Sequence, residues 1–343
     1  MNWPVGGAAV GVAVCMAVIS SLAQSQTPVG RVVFGGEADR GVALEQPQDM
    51  LLTRSGVVVV ESGAPYLRLL SSSGRLLHSG VKAGSGPGEV RHISAVSVSP
   101  ARDALFVFDP AQRRVSRFRV TDSIALIDAH SVPLEVDAAC LLGGTLWVSG
   151  VHDTQGIVHR LSVRDGQYVV SQSLGTYKVG HPLQSNRLFW SHVVASRMLC
   201  NEAKNQIVVA SRWLGVLQRI NITTGTVSMV RVPGFEALHF AMEGQSMVVQ
   251  WGSQGVLDEI LSVTEQPNGY RVIVGRTDKT HRGDGDYLSI REMVVPFDGT
   301  ASGKVRLLAD AELDRDGTRV LCYSAAPYPQ GAVVVGGTGC KAR

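Results

Sequence analysis

The sequence predicts an all-β fold, a six-bladed β-propeller of four-stranded antiparallel blades, its ring closed by an N-terminal strand in the last blade. Three observations predict it. Short runs rich in β-branched and aromatic residues recur along the chain: Gly56 to Glu61, Ala104 to Asp109, Thr145 to Ser149, Gln206 to Ser211, Ser246 to Trp251 and Arg319 to Ser324. Each follows a turn signal, in order Arg54-Ser55-Gly56, Ala101-Arg102-Asp103, Gly143-Gly144, Glu202-Ala203-Lys204-Asn205, Glu243-Gly244 and Asp316-Gly317. Apolar residues precede most of these turns, so each pair of runs reads as a β-hairpin.

A second set of turns follows the first. It comprises Ser73-Gly74, Thr121-Asp122-Ser123, Asp165-Gly166, Thr224-Gly225 and Asn268-Gly269. Each unit therefore reads strand, turn, strand, loop, strand, turn, strand. Equivalent turns recur every roughly 40 to 70 residues, near the blade size of propellers with insertions. The last unit lacks a second turn and so lacks an outer strand. Arg31-Val32-Val33-Phe34 is the candidate to supply it, because an open sheet edge invites aggregation. An open pair of β-sandwich sheets is the alternative.

Taken in chain order, the first element is a leader. An apolar stretch runs from Val5 to Ile19, and small residues at Ser21 and Ala23 suit cleavage before Gln24. The expected organisation is a signal peptide at 1–23 and one propeller domain at 24–343. An uncleaved anchor is the alternative, though the stretch is short for a spanning helix. Localisation is then exported, periplasmic or extracellular. Two insertions interrupt the period, Tyr177 to Val194 and Thr277 to Ser302, both expected where one blade passes to the next.

Composition narrows the function classes. Charged residues are 18% of the 343 and hydrophobic residues 45%, which fits a globular chain rather than a disordered one. The 38 glycines suit many tight turns. A net charge of +3 without a basic run argues against nucleic acid as a partner. Cleavage would leave Cys140, Cys200, Cys322 and Cys340. An even number in an exported chain permits disulfides, and buried free thiols are the alternative. Cys322 and Cys340 are close enough to clip the C-terminus, while Cys140 and Cys200 fall at equivalent places in successive repeats.

One stretch carries a family likeness. Gly84-Ser85-Gly86-Pro87-Gly88-Glu89 leads into a strand, then Leu105-Phe106-Val107-Phe108-Asp109, then Gln112-Arg113-Arg114-Val115-Ser116-Arg117-Phe118. This resembles the repeat of NHL-type six-bladed propellers of exported bacterial proteins. The match spans about Ala83 to Val120, with Val90 and Ile93 where the repeat usually has phenylalanine and proline. The resemblance implies the fold. It does not imply one activity, since the family includes enzymes, binders and scaffolds.

In such a fold the second-to-third-strand loops share one face with the blade crossovers, and rigidly held loops commonly carry binding. That face is the expected site. Trp213 and Trp251 offer stacking surfaces, Arg212 a bidentate partner for a carboxylate, and Tyr66, His181 and His281 complete the candidate ligand-binding set. Each aromatic has blade packing as its plain structural alternative. The histidines show no His-x-His or His-Glu-x-x-His spacing, so no metal and no cofactor are expected. No Gly-x-Ser-x-Gly elbow appears, so the catalytic residues are unknown. The resulting reading is an exported, non-catalytic binding or scaffold protein. Its partner would be a peptide, a glycan or an envelope protein. The alternative is a metal-dependent hydrolase or lactonase with its site at the channel mouth.

Overall fold

Alternation of side chains along each strand decides the architecture. The computed structural model describes residues 47–298 except 72–74, 153–155, 176–188, 191–193, 245, 253–254 and 279–288, and strand backbone at 31–32, 305–310, 312–313, 319–320, 325–328 and 331–334. β1 (Arg31–Val32) comes before the blades. Blade 1 is β2 (Pro47–Leu52), β3 (Val57–Glu61), β4 (Leu67–Leu70) and β5 (Leu76–Gly80). Blade 2 is β6 (Ala95–Val98), β7 (Ala104–Asp109), β8 (Arg114–Val120) and β9 (Ile124–Ser131). Blade 3 is β10 (Glu135–Leu142), β11 (Thr145–Val151), β12 (Val158–Arg164) and β13 (Gln167–Leu174). Blade 4 is β14 (Ser196–Asn201), β15 (Gln206–Ser211), β16 (Val216–Asn221) and β17 (Val227–Arg231). A separate hairpin follows, β18 (His239–Glu243) with β19 (Ser246–Gln250). Blade 5 is β20 (Val256–Gln266), β21 (Gly269–Asp278), β22 (Ser289–Pro296) and β23 (Val305–Asp310). β24 (Glu312–Leu313) pairs with β25 (Arg319–Val320), and β26 (Ala325–Tyr328) with β27 (Gly331–Val334).

Every four-stranded sheet is an antiparallel meander in sequence order. The inner strands β2, β6, β10, β14 and β20 stand side by side in that order. Period two then puts alternate residues of a middle strand against different neighbours. In β7, Leu105 and Val107 join the blade 1–2 core, while Phe106 and Phe108 join the blade 2–3 core. In β15, Ile207 and Val209 face blade 3 and Val208 and Ala210 face blade 5. Burial on both faces explains the unbroken apolar runs of the sequence. A buried phenylalanine such as Phe108 contributes roughly 1.5–3 kcal/mol relative to exposure. Outer strands carry bulges in blades 1, 2, 3 and 5. Such bulges twist an exposed edge away from further pairing.

Two expectations are corrected. Five four-stranded blades stand among the described residues, not six. The cause is the phase of the chain after blade 4. Asn268-Gly269 joins the first two strands of blade 5, long strands of 11 and 10 residues, rather than closing a fifth unit. The Glu243-Gly244 hairpin is thereby left as a two-stranded sheet. Both turns contain glycine, so sequence pattern alone does not tell them apart. For the same reason the second insertion falls inside blade 5, where Thr277 to Ser302 takes in the end of β21 and the whole of β22, and not between blades.

The N-terminal strand does meet the C-terminal sheet. Arg31 lies opposite Val333 and Val32 opposite Val334, but the pairing is parallel and two residues long. A regular outer strand of an antiparallel blade would run the other way. The proposed leader lies outside the described residues, as do Cys322 and Cys340. No helix among the described residues is long and apolar enough to cross a membrane.

Candidate functional site

In a meander the two hairpin turns of a blade lie at one end and the second-to-third loop at the other. Crossovers arrive at that second end, so every inner strand starts there. The residues at those starts surround the channel mouth.

Blade 3 places a bare carboxylate at this mouth. Val136 pairs with Gly150 and Ala138 with Ser149, so Asp137 is the extra residue of a β-bulge. A Cβ on Gly150 would lie 2.0 Å from the Glu135 carbonyl oxygen, so glycine is what lets β11 approach the bulge. No hydrogen bond reaches the Asp137 carboxylate among the described residues. Burial pushes its pKa up to about 7, Glu135 adds to the rise, and the Arg212 charge opposes it. Asp49, beside the bulge of blade 1, is also raised by burial, against opposing pulls from Arg197 and the Met50 N–H. Asp49 and Arg197 belong to non-adjacent blades, so their charges meet across the ring axis.

Blades 4 and 5 present paired charges at the same end. Arg212 forms an ion pair with Glu259 and lies 5.0 Å over the Trp213 ring. Asp258, fully buried, accepts from Arg276 at 2.7 and 2.9 Å, from Arg291 at 2.7 Å and from the Glu236 N–H at 2.9 Å. Arg197 Nε donates to the carbonyl of Leu261 at 3.0 Å, and Leu261 is the bulged residue of β20.

The sequence-derived candidates fare unequally. Arg212 and Trp213 sit together at the mouth, the arginine side chain 35% exposed. Trp251 is half-buried, in the connection from β19 to β20. Tyr66 is only 6% exposed. Its ring belongs to the blade 1–2 core, and its hydroxyl donates to the Arg91 carbonyl at 2.8 Å. His181 and His281 lie outside the described residues. Sequence reading missed Asp49, Glu135, Asp137 and Glu259. The signal was available: acids clustered at the start of inner strands, as in Glu135-Val136-Asp137 and Asp258-Glu259.

Among the described residues, no group of three or more His, Cys, Asp or Glu is placed to hold a metal ion. One covalent link crosses the blade 3–4 junction, a disulfide between Cys140 of β10 and Cys200 of β14. It settles the pairing of these two cysteines, which sequence left open. Above it, the Ser149 and Ser196 hydroxyls share a buried hydrogen bond of 2.6 Å.

Comparison with solved structures finds other propellers. A protein from Lactobacillus plantarum is 12% identical, covering 86% of this chain and 85% of its own, at a TM-score of 0.45. The RRP9 WD40 repeats are 15% identical over 80% of this chain and 84% of theirs, at 0.47. The Myceliophteria thermophila Cps50 (Swd1) β-propeller domain is 9% identical over 78% and 87%, at 0.43. No family model matches the chain, and no curated protein does. The fold assignment rests on this chain's own blades.

Proposed function

We propose that this chain is an exported binding or scaffold propeller that engages a peptide, a glycan or a partner protein on its crossover face. One observation carries the reading: the channel mouth combines the half-exposed Arg212–Trp213 stack with the unpartnered carboxylate of Asp137. Such a surface offers a flat apolar face, a cation and a hydrogen-bonding acid within one rigid frame. Trp251, His181 and His281 extend the same face in this reading, and Tyr66 holds the Arg91 loop from below. The disulfide supports export, because such links persist in oxidising compartments.

The same proposal includes ring closure. In β3 every residue is buried, yet only Val58 and Val60 belong to the blade 1–2 core. Val57 and Val59 face the other way and are covered nonetheless. Ile273 and Thr277, on the far face of blade 5, are buried as well. β26 neighbours both β2 and β20. These facts support a sixth sector filled by the C-terminal sheet, with β1 at its edge.

The experiment is a screen of the purified chain on glycan and peptide arrays, repeated with Trp213→Ala and Trp251→Ala. Loss of the hits without loss of fold supports the site. Undiminished binding by both variants would sink it. Mass spectrometry of the secreted protein tests cleavage before Gln24.

A second reading has one specific observation in its favour. A carboxylic acid whose pKa burial raises to about 7 suits general acid–base catalysis, so a hydrolase or lactonase at the mouth is the alternative. Metal content and a pH–rate profile, with and without Asp137→Asn, separate the two.

A further inference from the structure

The crossover end of blade 2 holds a basic cluster that the mouth does not use. Its glycine-rich loop folds back on itself. The Val90 N–H donates to the Lys82 carbonyl at 2.9 Å, and the Gly84 N–H to the Val90 carbonyl at 3.1 Å. Gly84 suits its place, because its φ of +154° is one that residues with a side chain rarely adopt.

Two guanidinium groups from different strands of sequence converge on Ser85 of this loop. Arg91 Nε donates to Ser85 Oγ at 2.9 Å. Arg114 Nη1 donates to the Ser85 carbonyl at 3.3 Å, and its Nη2 to the Glu89 carbonyl. Neither guanidinium has a carboxylate partner among the described residues. The two local acids are engaged by other donors. Glu89 Oε2 accepts from the Gly86 N–H at 2.8 Å. Asp109 accepts from the Arg91 N–H at 2.7 Å and from the Gln112 N–H and Nε2 at 3.1 and 2.6 Å. Arg114 Nε is buried without a hydrogen-bond partner. Lys82 and Arg113 stand exposed on the same loops, with no side-chain partner among the described residues. Four cations therefore stand around two carboxylates, leaving an excess of positive charge on these loops.

Holding two guanidiniums together costs electrostatic energy unless an anion offsets it. Here the cost is fixed into a hydrogen-bonded frame, and blade 1 reinforces it through the Tyr66 hydroxyl on the Arg91 carbonyl. Arg91 is exposed and engages only its Nε, so its two terminal nitrogens remain as a planar fork that matches an oxyanion bidentately, while Arg114 adds its charge beside it. We propose that Arg91 and Arg114, with Arg113 and Lys82 at the rim, form a binding site for an oxyanion, a carboxylate or a sulfate or phosphate group. This site lies on a different blade from Arg212 and stands whether or not the mouth binds a ligand.

The test uses the full-length chain labelled with ¹⁵N and three probes at constant ionic strength: galacturonate, inorganic sulfate and inorganic phosphate. Sodium chloride is the control. Saturable shifts of the Gly86 and Gly88 amides and of the arginine Nε–H signals are expected, with a dissociation constant on the order of 1 mM for one of the three probes. Arg91→Gln should weaken that binding about tenfold, and Arg113→Gln less. Arg54→Gln, in a turn at the opposite end of blade 1, should leave it unchanged. The probe that binds tightest assigns the source, a uronate-type carboxylate or a tetrahedral oxyanion. Shifts no larger than those with chloride for all three probes overturn the site, as does an unchanged affinity in Arg91→Gln.

Discussion

Blade 4 is held to its two neighbours by different physics. Against blade 3 it uses a disulfide, a buried Ser149–Ser196 hydrogen bond and an apolar cluster that includes Trp147, Phe189 and Phe240. Against blade 5 it uses charge as well: Arg212 on Glu259, Lys204 and Asn201 on Glu265, and Arg197 on the Leu261 carbonyl. The two mouth aspartates differ as well. Asp258 is saturated by two arginines and a backbone N–H, whereas Asp137 has no such partner. One residue type at comparable places on inner strands thus serves the fold in blade 5 and is left open in blade 3. Blade 5 engages Asp258 with its own arginines, and the junction with blade 4 engages Glu259 and Glu265, whereas Asp137 stands beside the disulfide-linked junction without such a partner.

The strongest way to break this contrast is to remove Asp258. Asp258→Ala strands Arg276 and Arg291 in a buried setting, and such a loss costs about 3–5 kcal/mol. Urea unfolding of the variant against wild type checks it. A loss under about 1 kcal/mol would mean that water already satisfies the arginines and that the blade 5 charges are not structural.

The disulfide comes next. It closes a span of 60 residues, for which the chain-entropy model gives about 4 kcal/mol. Cys140→Ser with Cys200→Ser should lower the free energy of unfolding measured in urea by an amount near that, in salt and out of it. The blade 4–5 ion pairs should instead respond to salt. Equal sensitivity of both variants to ionic strength would erase the distinction between the junctions.

Much of the frame was legible in the sequence, for a physical reason. Runs such as Val57 to Val60 or Ile207 to Ala210 are buried on both faces, so they are apolar throughout, and the glycine turns between them are local in origin. Blade number was not legible, because Glu243-Gly244 and Asn268-Gly269 look alike as turns and only long-range pairing sorts them. Part of the site was legible too. Arg212 and Trp213 stand adjacent at a strand end and show themselves. Asp137 does not, because its character comes from a bulge and from charges on other strands. The GPGE motif at the entry to blade 2 reads as a fold signal, while the convergence of Arg91 and Arg114 on Ser85 without a carboxylate partner depends on side-chain positions that sequence does not carry.

Acid–base behaviour sharpens the contrast inside blade 3, with a smaller effect and the opposite sign. Asp137 titrates higher folded than unfolded, so the folded state holds its proton longer. Its contribution to stability is present near pH 4 and is lost as pH rises towards 7. Asp137→Asn should therefore be neutral near pH 4 and stabilising at pH 8. His159 works the other way. It is fully buried, with hydrogen bonds to the Gly150 carbonyl and Ser173 Oγ, and burial lowers its pKa to about 4. Its contribution is present above pH 6.5 and is lost as pH falls to 4. Thermal melts across pH 4 to 8 separate the two. A variant Asp137→Asn that melts in parallel with wild type throughout would show the acid to be ordinary.

The smallest effect belongs to the solvent side of the blade 4–5 junction. Lys204 pairs with Glu265 and lies 4.6 Å over the Phe297 ring, but about half its side chain is in water. Exposed pairs contribute about 0.2–1 kcal/mol and are screened by salt. A double-mutant cycle of Lys204→Gln with Glu265→Gln should give a coupling in that range at low salt and almost none at 1 M. The cation–ring contact is less sensitive to screening than the ion pair, so Lys204→Gln alone should keep a small cost at high salt while Glu265→Gln loses its cost. If the coupling instead survives 1 M salt undiminished, the pair is effectively buried, and this junction is held by desolvated charge right to its rim.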